Sequence, residues 1–302
     1  MIKKVKQSVI KILDVSIKLT SKSKYLTPLT HKQYIKKEFL KQHGYHINFK
    51  NPVTLSEKIQ WIKLYGGVEK YANFVDKNEV RSFVKEKVGE NYLIPKIGVY
   101  DDFNDIDLNS LPAKFVIKAT HGSGWNMIVR DKAKIDWDYS KRKIQRWIKA
   151  NYFYISGERN YKKIKGRVII EELLENNKGI MEEYKFYCYY GQPHYVVAVN
   201  VTESNERKKG WYDLNWNWLN MNINGIPDKG SSVKRPNYIN KMIDICQKLS
   251  KGFEFVRVDL YYSQGEIFFG ELTFTPNNGF GKFSDIVYDE MFGKPLSISR
   301  AI

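Results

Sequence analysis

Residues 253–279 read FEFVRVDLYYSQGEIFFGELTFTPNNG, two apolar and aromatic runs on either side of Ser263-Gln264-Gly265. Aromatic and β-branched residues bounded by turn formers signal a β-hairpin. A three-residue loop with Gly265 in the left-handed position pairs Tyr262 with Glu266. That register sets Arg257 opposite Glu271, with Asp259 on the same face one pleat away. Two carboxylates and a guanidinium then converge on one side of the sheet. Hard oxygen donors of this kind hold magnesium on nucleotide phosphates. An arginine beside them meets negative charge developing on a transferring phosphoryl group. A surface ion-pair ladder is the plainer alternative, and the apolar, aromatic neighbours of an interior strand weigh against it.

Working outward, KFVIKAT (114–120) reads as a buried strand with Lys118 near its end. A lysine there is costly unless it meets an anion. HGSGWN follows directly, and Gly122 and Gly124 let backbone N–H groups approach phosphate oxygens. No GK[ST] follows, so this is not a Walker A loop, and GxGxxG is absent as well. A plain glycine turn fits the same residues. The segment IIEELLE (169–175) is an apolar strand ending in acids, of the sort that presents backbone groups to an adenine edge and a carboxylate to a ribose.

YKFYCYY and HYVVAVNV flank Gly191-Gln192-Pro193, a second hairpin signature. Helical periodicity runs from about Tyr139 to Asn151, and Asn237 is placed to cap a helix through Lys251. Upstream, residues 1–70 read as mostly helical. Thr54 and Glu57 form a capping-box pattern before KIQWIKLY, with Gly66 and Gly67 as the stop. Asp76 can cap KNEVRSFVKEKV, which Gly89 ends. Strands mixed with helices, and hairpins late in the chain, predict an α+β architecture rather than a doubly wound parallel sheet.

The 302 residues exceed the usual single-domain length, and 42% hydrophobic residues are ample for burial. Two cysteines, Cys188 and Cys246, make neither a disulfide framework nor a metal cluster, which suits a reducing cytosol. The net charge of +17 suits an anionic partner, or a lysine-rich proteome, since the lysines are spread along the chain. No apolar run reaches the roughly 20 residues of a membrane span. Val5, Val9, Ile12, Leu13 and Ile17 recur at helical spacing between lysines. This is a basic amphipathic helix rather than a signal peptide, suited to its own domain or to a membrane surface. His43, His46 and His194 lack metal-ligand spacing. Trp211, Trp216 and Trp218 suit core packing, or stacking on sugar faces.

Taken in order, Asp76-Lys77, Lys118 with its glycine loop, the Glu-Glu-Leu-Leu hinge, Asp259 and Glu271 resemble the ATP-grasp superfamily. DKNEVRSFV, YLIPKIGVY, LPAKFVIKATHGSG, EEYKFYCYYGQP and VRVDLYYSQGEIFFGELTFTPNNGFG look more narrowly like the TupA-like ATP-grasp family, associated with teichuronopeptide and surface-polysaccharide biosynthesis. The resemblance covers roughly residues 50–295. It implies an ATP-grasp fold in which two α+β lobes clamp ATP, with a short helical N-terminal region. The implied boundaries are 1–70, 71–173 for the lobe with the phosphate loop, and 174–302 for the lobe with the metal site.

Carried over by position, Lys77 and Lys118 bind ATP phosphates, and His121, Gly122, Ser123 and Gly124 lie in the loop over them. Glu171, Glu172, Leu173 and Leu174 line the adenine and ribose pocket. Lys185 faces the cleft, Arg257 stabilises the acyl-phosphate step, and Asp259 and Glu271 hold Mg2+. The family's third metal position falls on Thr273 rather than asparagine, with Asn277 and Asn278 further on, which puts a second metal in doubt. The N-terminal region is shorter and more helical than the α/β pre-domain of many relatives.

The implied activity is an ATP- and Mg2+-dependent carboxylate–amine ligase. Its implied substrates are an amino acid or other amine and an acidic glycan, or a nucleotide-sugar or lipid-linked precursor, with no nucleic acid. The implied location is cytoplasmic, with peripheral membrane contact through residues 1–20 as an added expectation. A glycosyltransferase of surface-polysaccharide biosynthesis is the alternative, against which stands the lack of a compact DxD-type motif.

Overall fold

Helix α2 (Leu55–Tyr65) begins as its sequence dictates: the Thr54 side chain accepts from the Glu57 backbone N–H while Glu57 reaches back to Thr54, completing the capping box. Such a cap is worth about 1 kcal/mol. The structure, a computed structural model, describes residues 28–175, 182–201, 207–226 and 233–298. The amphipathic pattern over residues 1–20 lies outside them. Ahead of α2 comes α1 (Pro28–His43), and after it α3 (Ala72–Val75) and α4 (Val80–Val88). Asp76 Oδ1 accepts from the N–H groups of Asn78 and Glu79, so it caps the turn leading into α4 rather than the helix itself.

Two antiparallel sheets make the α+β frame. The smaller has order β1-β4-β2-β3, from Lys96–Tyr100, Val168–Glu172, Phe115–Ala119 and Asn126–Val129. Its apolar face (Phe115, Ile117, Ala119, Val168, Ile170) packs on Ile144 and Trp147 of α5 (Trp137–Lys149). Alternation leaves Val116, Lys118, Ile169 and Glu171 on the other face. A short α6 (Phe153–Ser156) follows α5.

The larger sheet has order β7-β6-β5-β8-β9, from Arg207–Asp213, Gln192–Val201, Glu182–Tyr189, Phe255–Ser263 and Glu266–Thr273. Tyr184, Phe186, Cys188, Val256, Val258 and Leu260 face α7 (Ile239–Ser250), which meets them with Met242, Ile245, Cys246 and Leu249. That three-to-four spacing is the apolar stripe of an amphipathic helix, and each such burial is worth about 1.5–3 kcal/mol. On the opposite face Tyr187, Tyr189 and Phe255 are covered by α1, α2 and α8 (Ile286–Gly293) through Ile35, Phe39, Ile59 and Phe292. The helical N-terminal residues from 28 onward are therefore part of the core under this sheet.

Both hairpins differ from their sequence reading. The β8–β9 turn is two residues, Gln264-Gly265, with φ of 52° and 89°. Ser263 therefore pairs with Glu266, one residue off the predicted register. Gly270 is bulged, and beyond it Asp259 faces Glu271 while Arg257 faces Thr273. Likewise Tyr190-Gly191, not Gly191-Gln192-Pro193, turns β5 into β6, with φ of 50° and 81°. A two-residue left-handed turn matches the twist of the strands it joins. The capping role expected of Asn237 is absent, since α7 starts from Tyr238 without a side-chain cap. Strands β1 and β7 were not foreseen.

Candidate active site

Three neighbouring strands of the larger sheet put charge on one face. Register sets Lys185 opposite Asp259, and Asp259 opposite Glu271. Arg257 grips Asp259 in a fork, Nε to Oδ1 at 2.6 Å and Nη2 to Oδ2 at 2.7 Å, and Lys185 Nζ reaches Oδ2 at 3.1 Å. Asp259 is only 1% exposed. Burial pushes its carboxyl up, yet Arg257 and Lys185 outweigh that and hold it below the usual range. Arg257 Nη2 also donates to Glu271 at 3.1 Å, and the Thr273 hydroxyl donates to the same Glu271 oxygen at 3.2 Å. Glu183, two residues before Lys185, accepts from its ammonium at 2.7 Å.

The smaller sheet contributes the facing half. Lys118 Nζ donates to Glu171 at 2.8 Å, and Arg81 of α4 holds the other Glu171 oxygen at 2.9 Å. Lys77 is tied to the glycine loop twice, by its N–H to the Thr120 carbonyl at 3.1 Å and by Nζ to the Gly122 carbonyl at 2.6 Å. Burial pushes the Lys77 ammonium below its ordinary value, with Glu271 of the other sheet pulling the opposite way and Lys118 adding to the depression. The two sheets thus bring Lys77, Lys118 and Glu271 into one electrostatic neighbourhood.

In the loop, a Cβ on Gly122 would come within 2.8 Å of the Trp125 ring, and Gly124 has φ of 73°. Ser123 hydrogen-bonds the Tyr152 phenol, whose pKa burial raises to about 12. His121 points away from the cleft: its Nε2 lies 2.9 Å from the Trp147 carbonyl and 3.1 Å from that of Ala150, at the end of α5. Its buried ring anchors the loop to the small lobe.

Of the hinge, Glu171 is buried in its ion pairs, while Glu172, Leu173, Leu174 and Glu175 line a cavity of about 940 Å³. Arg81, Lys96 and Phe268 line it too. The Glu175 carbonyl accepts from Ser263 Oγ at 3.1 Å and from Gln264 Nε2, pinning the hinge to the β8–β9 turn.

Sequence reading missed Arg81 and Glu183. Glu183 was legible as the i, i+2 partner of Lys185 on one strand face, whereas Arg81 meets Glu171 only through the fold. It also missed a buried polar group behind β9. Thr275 donates to Glu158 at 2.5 Å, and Lys63 donates to the Asn278 side chain. Burial lowers the Lys63 ammonium to about 7. Asn278 spends both ends of its amide on Lys63 and the Ser156 carbonyl, so it is a structural strut. Trp211 is buried in the core and Trp216 stacks on Tyr212 at 4.4 Å, whereas Trp218 stays partly exposed.

The donors fit magnesium in kind. Asp259 and Glu271 are opposed carboxylates beside a hydroxyl, and the Glu271 side chain is partly exposed. Among the described residues no cluster of three or more His, Cys, Asp or Glu offers an all-protein cage. Magnesium commonly takes one or two carboxylates and completes its shell with phosphates and water. No helix among the described residues is long and apolar enough to cross a membrane.

No curated protein matches the sequence. Among solved structures, the ATP complex of D-alanine–D-alanine ligase from Bacillus anthracis is 15% identical, covering 72% of this chain and 55% of that one, at a TM-score of 0.39. The Helicobacter pylori D-alanine–D-alanine ligase is 12% identical over 80% of this chain and 69% of that one, at 0.45. The ATP-grasp ligase PsnB, with a phosphomimetic variant of its minimal precursor, Mg and ADP, is 11% identical over 73% and 58%, at 0.39. The chain spans little more than half the length of the first of these, and no residue's role rests on them. The TupA-like ATP-grasp profile matches residues 57–297, from the capping glutamate of α2 through both sheets to four residues past α8, and the chain belongs to that family.

Proposed function

We infer that the cleft between the two sheets binds ATP and that the protein is an ADP-forming carboxylate–amine ligase. The observation that carries this is the Lys185–Asp259–Glu271 row with Arg257 at its side, set in one electrostatic neighbourhood with Lys77 and Lys118. Opposed acids beside converging cations suit a nucleotide's phosphates and metal better than they suit a neutral ligand.

In this reading Lys118 and Lys77 take phosphate oxygens and the 121–126 loop covers them. Leu173 and Leu174 line the adenine pocket, and Glu172 of the same cavity takes the ribose. Asp259 and Glu271 hold Mg2+, which when bound neutralises charge between the phosphates. Arg257 is positioned by Asp259 to meet the γ-phosphoryl group as a substrate carboxylate attacks it. The products of that half-reaction are an acyl phosphate and ADP. An amine then displaces phosphate, giving an amide. The chain supplies positioning and charge rather than a covalent nucleophile. Cys188 and Cys246 are both buried in the core away from the cleft. The family association and the +17 charge favour a uronic-acid-containing surface glycan or its precursor as the carboxylate, with an amino acid or peptide as the amine.

Thermal unfolding with ATP, ADP and UDP-sugars, each with and without Mg2+, tests this. A ligand at a hundredfold excess over its Kd adds about 2.7 kcal/mol of apparent stability. A magnesium-dependent rise with adenine nucleotides, followed by ADP release when uronic acids and amino acids are supplied together, is the expected result. Asp259→Asn and Glu271→Gln should fold and release no ADP. A rise with UDP-sugars alone would transfer the reading to glycosyl transfer.

A further inference from the structure

Glu171 is buried and carries two cations, one on each oxygen. Arg81 Nη1 lies 2.9 Å from Oε1 and Lys118 Nζ lies 2.8 Å from Oε2. One carboxylate needs only one counter-charge, and the two cations are held differently. Arg81 donates its other terminal nitrogen, Nη2, to the Ile94 carbonyl at 2.9 Å, so its fork is fixed at both ends. Among the described residues Lys118 has Glu171 as its one side-chain hydrogen bond, at the end of a flexible four-carbon stem on the cleft face of β2.

We propose that Arg81 is a positioning residue of the nucleotide site, which keeps Glu171 neutralised so that Lys118 can exchange that carboxylate for a phosphate oxygen. This rests on the nucleotide reading of the cleft. A buried carboxylate stripped of its partner is strongly penalised. Without Arg81, every departure of Lys118 would strand Glu171, and the carboxylate would compete with the phosphate for the one lysine. With Arg81 present, the lysine leaves behind an ion pair that is still complete. Arginine suits the task because it stays charged and joins a carboxylate and a carbonyl in one plane, whereas lysine is a compact, mobile charge. Glu171 is on this account a holder of cations, and the ribose contact expected of it passes to the neighbouring hinge residues.

The test is calorimetric titration of the full chain with ADP and Mg2+. Arg81→Gln should weaken binding by about tenfold or more, the worth of one charge-assisted hydrogen bond. The double variant Arg81→Gln/Glu171→Gln should return to within about threefold of wild type, because a neutral amide no longer claims Lys118. Arg81→Lys keeps the charge without the planar fork and should lose less than Arg81→Gln, serving if the glutamine variant folds poorly. Unchanged binding by a folded Arg81→Gln overturns the proposal. So does a double variant as weak as the single one, since Arg81 would then act other than through Glu171. A loss in Arg81→Lys equal to that in Arg81→Gln overturns it as well. Wild type that binds no adenine nucleotide sinks the nucleotide reading itself, and is recognised before any variant is measured.

Discussion

Individual charges in this protein are placed by their partners more than by their identity. Asp259 is an aspartate held below the usual carboxylate range by Arg257 and Lys185 against its burial. Asp289 shows the opposite case. Its Oδ1 accepts from the Ser56 N–H at 2.9 Å, yet burial raises its carboxyl to about 6, with nearby Glu57 adding to the rise. A folded pKa above the unfolded value means that the folded state binds more protons in the intervening range. The associated stability is present below about pH 4 and is lost as pH rises through about 6. Asp289→Asn should remove that dependence. Relative to the variant, wild type should lose on the order of 2 kcal/mol between pH 4 and 7, since one pKa unit is about 1.4 kcal/mol. Parallel urea curves across that range check it, and identical pH profiles would contradict it. Lys118, Asp259 and Glu271 were readable as candidates because acids and lysines inside apolar strands are conspicuous. Arg81 was not, because its partner lies 90 residues away.

At the level of the element, the β8–β9 hairpin departs from its sequence reading twice, and the departures cancel at the site. A two-residue turn shifts the register by one, which alone would set Glu271 opposite Val258, on the apolar face. The bulge at Gly270 adds one residue and returns Glu271 to the face of Asp259. Glycine is required there, since a Cβ would lie 2.9 Å from the Asp259 carbonyl oxygen and 3.0 Å from the Tyr261 ring. Gly270→Ala is expected to cost about 1–3 kcal/mol from overpacking. It should also lower magnesium-dependent nucleotide binding beyond what the stability loss explains, because the bulge aims Glu271. Chemical denaturation together with nucleotide titration separates the two effects. A variant with wild-type stability and binding would show that the bulge is incidental.

At the scale of the molecule, one sheet face serves two purposes. Its end bearing Tyr187, Tyr189 and Phe255 is sealed by α1, α2 and α8, and its other end carries the charged row. A chain beginning at residue 67 would lose Ile35, Phe39, Leu55, Ile59 and Trp61 from that core. Each large side chain removed from a core costs about 2–5 kcal/mol, so the losses exceed a typical total stability of about 5–15 kcal/mol. Such a chain should be insoluble or lack a cooperative thermal transition. A sharp transition near the wild-type temperature would instead make residues 28–66 a dispensable layer.

The α+β class, the presence of the two hairpins and the capped second helix were legible in the residues alone, as were the acids and lysines that became candidates for the site. Periodicity, turn residues and buried charge are local signals, readable without coordinates. The register that opposes Asp259 to Glu271, the turning of His121 into the small lobe and the pairing of Arg81 with Glu171 came from the fold. The same is true of the seating of the N-terminal helices beneath the larger sheet. Those outcomes depend on which distant segments share a burial site, and packing and desolvation settle that across the whole chain at once.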